Sequence, residues 1–182
     1  MYFAGMKRFA EMQLAKLVCG VILSKQQVLG AVLEKLAALY GPVDFASEGM
    51  DFNAFTDYYN EEMGAGLTRH FVSFERLVDR TTLPGIKHAT CAIELQCAVQ
   101  GNRTVNLDPG YLTLGQLFLA STKDNFFRIY LGQGIFAEVT LYYERGGYVD
   151  FPWTYRDYQS AAYKNIFLQI RAIYKKQLAV LR

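Results

Sequence analysis

A chain of 182 residues, 52% hydrophobic and 15% aromatic, is long enough for one domain with a real core and too apolar for disorder. Its 19 basic and 17 acidic residues leave a net charge of +2, too balanced to mark a nucleic-acid or membrane binder by itself. No stretch approaches the roughly 20 apolar residues that span a bilayer, so a membrane is not an expected partner.

The opening Met1-Tyr-Phe-Ala-Gly-Met-Lys-Arg lacks the long apolar run of a secretory leader, and residues 1–13 read as a poorly ordered segment of a single domain, 1–182. Residues Ala15 to Leu23 read as a fully buried strand. Ser24 with Gln27 has the form of a capping box for a helix striped by Val28, Leu29, Val32, Leu33, Leu36 and Leu39, which Gly41-Pro42 ends. Val43 to Ala46 reads as a short strand. Asp51 to Gly66 is an acidic, aromatic loop, longer than a connection requires. Arg69 to Val78 predicts a strand, and Leu83 to Gln100 a helix with Gly101 just past its end. Arg103 to Leu107 predicts a strand stopped by Asp108-Pro109-Gly110, which has type II turn chemistry. Leu112 to Thr122 is a short helix or apolar segment. Phe126 to Tyr143 predicts a hairpin about Gly132-Gln133-Gly134, and Ser160 to Leu181 a final helix. The expected fold is α+β: a split βαβ (ferredoxin-like) core, an added C-terminal hairpin and a packing C-terminal helix.

Alternation along the hairpin fixes its register. Ile129 and Leu131 must share the core face with Ile135, Ala137, Val139 and Leu141, which requires a three-residue loop with a glycine free to turn left-handed. Arg128 then faces Glu138, beside Tyr130 and Thr140. The same alternation sets Asn106, with Asp108 at the strand end, apart from Val105 and Leu107. It also sets Arg69, Ser73 and Glu75 apart from Val72 and Phe74. One polar sheet face therefore carries Arg69, Glu75, Asn106, Asp108, Arg128, Tyr130 and Glu138.

Phe55-Thr-Asp-Tyr-Tyr, Glu62-Met-Gly, Val105-Asn-Leu-Asp-Pro-Gly-Tyr-Leu, Arg128-Ile-Tyr-Leu-Gly, Ala137-Glu-Val-Thr-Leu and Trp153-Thr-Tyr-x-Asp-Tyr follow one another in fixed order. In this the chain resembles the bacterial domain-of-unknown-function family 4416 over about Leu17 to Lys176. The resemblance implies no established activity. Some members are automatically labelled GTP-binding, but this sequence has no G-x-x-x-x-G-K-[ST] loop. Thr122-Lys123-Asp124 is only superficially like a guanine-specificity motif. The family pattern has His where Phe127 stands and Pro where Arg156 stands, so any role of that His is absent here.

The polar sheet face is the leading candidate site. Arg128 could hold a phosphate or carboxylate, while Asn106, Asp108 and Glu138 could hold Mg²⁺ or act as acid and base. Its plainer alternative is a solvated face with one cross-strand ion pair. The loop bearing Asp57, Tyr58 and Glu62 could close over that face, or simply be anchored by its aromatics. Asp108 has a second reading as a turn cap, and Lys123 as a solvated charge. His88 and Cys91 share a helix face, but too few other His and Cys residues exist to complete a zinc site, so none is expected. No nucleophile elbow supports a hydrolase. Lys164, Arg171, Lys175 and Arg182 align along the last helix, as a basic stripe for RNA or a partner or as a solvated face. Cys19, Cys91 and Cys97 are odd in number, without a pairing pattern, and Cys91 and Cys97 stand roughly 9 Å apart along one helix, so free thiols and a cytoplasmic setting are expected.

Two functions follow. One is binding, with turnover left open, of a small anionic, phosphorylated ligand on the sheet face. The alternative is a non-enzymatic RNA- or protein-binding module using that face or the basic helix. The sequence carries no prediction of oligomeric state.

Overall fold

All nine residues of β1, Ala15–Leu23, are buried in the computed structural model, which describes residues 14–181. Segment 1–13, expected to be poorly ordered, lies outside the described residues. β1 runs antiparallel between β4 (Thr68–Val78) and β5 (Val105–Leu112). The outer side of β4 takes β2 (Val43–Ala46) and the two-residue β3 (Met50–Asp51). Beyond β5 lie β6 (Gln116–Ser121) and β8 (Ile135–Glu144), whose outer edge carries both β7 (Ile129–Gly132) and β9 (Gly147–Asp150). The result is one nine-stranded antiparallel sheet in the order β2-β4-β1-β5-β6-β8-β7.

Successive side chains of β1 meet different layers, as the two-residue period of a strand demands. Leu17, Cys19, Val21 and Leu23 pack in one cluster with Val32 and Leu36 of α1 (Leu29–Tyr40) and with Ile86 and Ile93 of α3 (Leu83–Gln96). Val18 and Phe71 pack on the opposite face, under Tyr163, Phe167, Ile170 and Tyr174 of α4 (Ala161–Val180). The one-turn α2 (Asn60–Met63) lies within the loop between β3 and β4. Lys16 is the exception in β1: fully buried, it pairs with Asp44 and donates to Phe74 O at 2.7 Å and Gln177 Oε1 at 2.9 Å. Burial pulls its pKa down despite the partner carboxylate. No helix among the described residues is long and apolar enough to cross a membrane.

Several local expectations are corrected. Ser24 does not cap α1, which starts after Val28; Ser24 Oγ instead accepts from Gln26 N, and Gln27 Nε2 donates to Thr104 Oγ1 at 2.8 Å. α3 stops at Gln96, and Gln100 and Gly101, with φ of 53° and 85°, form the turn closed by the Val99–Asn102 bridge. Asp108-Pro109-Gly110 is not a turn but the middle of β5, opposite Gly20, Cys19 and Val18. A Cβ on Gly110 would lie 2.0 Å from Phe118 O, so the glycine lets two strands touch. Gln116–Ser121 is a strand, and β9 goes unseen in the sequence.

The hairpin has the expected register by another device. Ile129 opposes Ala137, and Arg128 Nε donates to Glu138 Oε2 at 2.8 Å. The turn holds Gln133 and Gly134, with φ of 56° and 73°, and a bulge between Tyr130 and Gly132 replaces the three-residue loop. Ile129 and Leu131 are exposed rather than inward, because β7 is the outermost strand. A second irregularity, where Leu117–Phe118 meets Leu141–Val139, skips Thr140. It puts Leu141 in the cluster under α4, while Ala137 packs with Leu83 at the start of α3. Trp153 Nε1 donates to Val139 O at 3.1 Å and Thr154 Oγ1 to Thr140 O at 2.6 Å.

Candidate functional site

β5 and β6 pair only where Gly110, Tyr111 and Leu112 meet Leu119, Phe118 and Leu117. N-terminal to Gly110 the two strands part. Leu107 then has a backbone N–H and C=O on the open side, and α3 satisfies both. Glu94 Oε1 accepts from Leu107 N at 2.6 Å, and Lys87 Nζ donates to Leu107 O at 2.7 Å. Pro109 is two residues on, so its nitrogen falls on the same open side, where the missing N–H costs nothing. The parting encloses a cavity of about 720 Å³.

Five groups of residues line it: β4 and β5 give Arg69, Asn106 and Asp108, α3 gives Lys87, Cys91 and Glu94, the far wall gives Ser121, Lys123, Arg128 and Glu138, the loop before α2 gives Phe52, Tyr58 and Tyr59, and the segment before α4 gives Tyr155 to Tyr158. Tyr58 OH accepts from Lys123 Nζ at 2.9 Å, which lowers the Tyr58 pKa. Tyr59 sits under Arg103, whose Nε and Nη2 grip Glu62 at 2.7 Å each. The loop is thus fastened to both walls of the cleft.

Arg69 is buried between Asp108 Oδ2 at 2.9 Å and Asp157 Oδ2 at 3.2 Å, among the rings of Phe52, Phe71 and Tyr158. Gly20 makes room for it. Burial pushes Asp157 up. Burial acts the same way on Asp108, but Arg69, Lys87 and the nearby Asn106 amide outweigh it and hold that carboxyl below its ordinary value. Burial also pushes up Glu94 and Glu138, the latter against the pull of Arg128. Arg128 is heavily engaged: besides Glu138 it donates to Ser121 Oγ, Lys123 O and Tyr155 OH at 2.7–2.9 Å, four of its five N–H donors in all.

Of the residues singled out in sequence, Arg69, Tyr58, Asn106, Asp108, Lys123, Arg128 and Glu138 line the one cleft, and Glu62 holds the Arg103 that lines it. Asp57 stays inside the loop, accepting from Asn60 Nδ2 at 2.9 Å. Tyr130 packs at a tilt against Phe136 outside the cleft. Glu75 lies within the irregular stretch of β4 between Ser73 and Leu77, where its carbonyl accepts from Gln177 Nε2. The stripe on α4 is partly engaged: Lys164 pairs with Asp150, and Arg171 donates to Leu114 O at 2.8 Å over the ring of Tyr143. Lys175 is exposed, and Arg182 lies outside the described residues. Sequence reasoning missed Lys87, Glu94, Arg103 and Arg156 as site residues, and weighed Cys91 only as a zinc ligand. Lys87, Cys91 and Glu94 were visible as polar positions at helical spacing beside Ile86 and Ile93. Among the described residues no group of three or more His, Cys, Asp and Glu is placed to hold a metal ion. Asp108 and Glu138 each give an oxygen to an arginine instead.

A family model described as "Domain of unknown function (DUF4416)" matches residues 13–174. No curated protein and no solved structure matches the chain.

Proposed function

This chain belongs to the DUF4416 family, and we propose that its cleft binds a small anionic, phosphorylated ligand. The observation that carries this reading is a partly open cleft of small-molecule size, about 720 Å³, with Lys123 and Arg156 on its wall. Neither cation pairs with a carboxylate among the described residues. Arg128 has the opposite character: it is paired with Glu138 and four of its five N–H donors are spent on protein groups, so it shapes the wall and leaves the anion chiefly to those two. A proton-transfer role, should the ligand react, suits Glu94 and Asp108. Their surroundings push their proton affinities in opposite directions.

The test is a thermal-shift screen with inorganic phosphate, sugar phosphates and nucleotides, each with and without Mg²⁺. A ligand at 100 times its Kd stabilises by about 2.7 kcal/mol. Lys123→Ala/Arg156→Ala should keep the melting point of the unliganded protein and lose the shift. The absence of a shift with every phosphorylated compound refutes the reading.

The alternative, an RNA- or protein-binding module, draws less support, because Lys164 and Arg171 already bond within the chain. We also read β1-α1-β2-β4-α3-β5 as a split βαβ core of ferredoxin-like type. Its strand order β2-β4-β1-β5, antiparallel throughout, supports this, as does the packing of α1 and α3 in one cluster. Three free cysteines support a cytoplasmic setting.

A further inference from the structure

Buried polar atoms are almost always hydrogen-bonded, so those that are not mark a place where something is expected. Three such atoms belong to residues lining the cleft: Asn106 Nδ2, Arg69 Nε and the Tyr158 hydroxyl. Asn106 is the most telling. It is only 3% exposed, and Arg103 Nη1 donates to its Oδ1 at 2.9 Å. That bond fixes which end of the amide is oxygen, and it leaves the NH₂ as the free end. Two residues on, along the same face of β5, Asp108 gives Oδ2 to Arg69. No described residue bonds its Oδ1. The Asn106 amide is near enough to help hold the Asp108 carboxyl down but makes no hydrogen bond with it, so a donor and an acceptor stand side by side, close enough for one group to meet both.

The chemistry of that corner excludes a second anion, because Asp108 would repel it. It also excludes an apolar group, which would leave both side chains unsatisfied. A hydroxyl fits, since it accepts from the amide and donates to the carboxylate at once. The anion belongs at the other wall, where Lys123 is held by Tyr58 and Arg156 stands exposed. We propose that the ligand is a phosphorylated sugar or polyol, with its phosphate at Lys123 and Arg156 and its hydroxyls at Asn106 and Asp108. This rests on the anion-binding reading above and names its substrate class.

Isothermal titration of the full chain with glucose 6-phosphate, ribose 5-phosphate, sorbitol 6-phosphate and propyl phosphate separates the two claims. At least one of the polyhydroxylated esters should bind about tenfold tighter than propyl phosphate, the scale of one or two well-made hydrogen bonds. In Asn106→Leu, of similar size but without the amide, that gap should close to about twofold. Deoxy analogues of the tightest compound, titrated into the unmodified protein, give the same comparison should Asn106→Leu fail to fold. Propyl phosphate binding as tightly as every polyol ester overturns the hydroxyl corner and leaves the anion reading standing. A gap that persists in Asn106→Leu, or in every deoxy analogue, overturns it too. Failure of all four esters to bind overturns the sugar-phosphate assignment, and the anion reading falls with it only if inorganic phosphate and the nucleotides also give no thermal shift.

Discussion

Gly20→Ala isolates the cost of crowding the buried arginine. A Cβ at Gly20 would lie 2.5 Å from Arg69 Nη1, 3.1 Å from the Tyr158 hydroxyl and 3.3 Å from Phe71 Cε1. Ordinary contact begins near 3.4 Å, so the guanidinium must retreat by about 1 Å. It has little freedom to do so, since two carboxylates grip it and three rings surround it. Removing a glycine from the unfolded chain gains about 0.4–1 kcal/mol. Overpacking costs about 1–3 kcal/mol, and losing one partner of a buried ion pair about 3–5 kcal/mol. Partial retreat of Arg69 places the net loss at about 2–4 kcal/mol, to be read from urea denaturation with near-ultraviolet circular dichroism. A midpoint that is unchanged or raised would refute the claim that Arg69 is pinned in place.

Arg128→Ala strips Glu138, itself nearly inaccessible, of its guanidinium partner, and should cost about 3–5 kcal/mol rather than the fraction expected of a surface pair; a loss under about 1 kcal/mol in denaturant titration would contradict the buried geometry. Glu94 has a folded pKa above its ordinary 4.5, so the stability it contributes is fully present below about pH 4.5 and is lost as pH rises through the folded value. Glu94→Gln should therefore gain on the parent protein as pH rises from 4.5 in melting experiments, and parallel curves would sink the argument. Asp108 has the opposite sign: its folded pKa is depressed, so its contribution is present above its ordinary 3.8 and fades as pH falls through the folded value. The stability deficit of Asp108→Asn should shrink in acid, and a deficit constant with pH would count against the Arg69 pairing.

What the sequence showed and hid follows from the range of each interaction. β1 was readable because a nearly unbroken apolar run is what a strand covered on both faces requires, and α4 was readable from about Ser160, whose Oγ turns out to accept from Tyr163 N. Arg128 and Glu138 could be paired because a hairpin's register is local. Asp108-Pro109-Gly110 misled because its local turn preference is real. The sheet overrides it, since Gly110 is needed for contact with Phe118 and Pro109 sits where no ladder bond is made. Arg69 meets Asp157 across 88 positions, and Lys87 and Glu94 serve the backbone of Leu107. No spacing rule reaches such partners, so the floor of the cleft stayed hidden while part of its walls did not.

The short seam between β5 and β6 also has a mechanical meaning. Three residue positions on each strand join the two wings of the sheet there, while the open stretch from Val105 to Gly110 is roughly 17 Å long at the rise of a strand. Such an arrangement is a lever with its fulcrum at Gly110. A twist of about 5° at the seam moves the far lip by roughly 1.5 Å over that arm, about half the length of a hydrogen bond, without breaking any strand pairing. The Tyr58–Lys123 and Glu62–Arg103 tethers sit near the long end of that arm, where a latch has the greatest purchase.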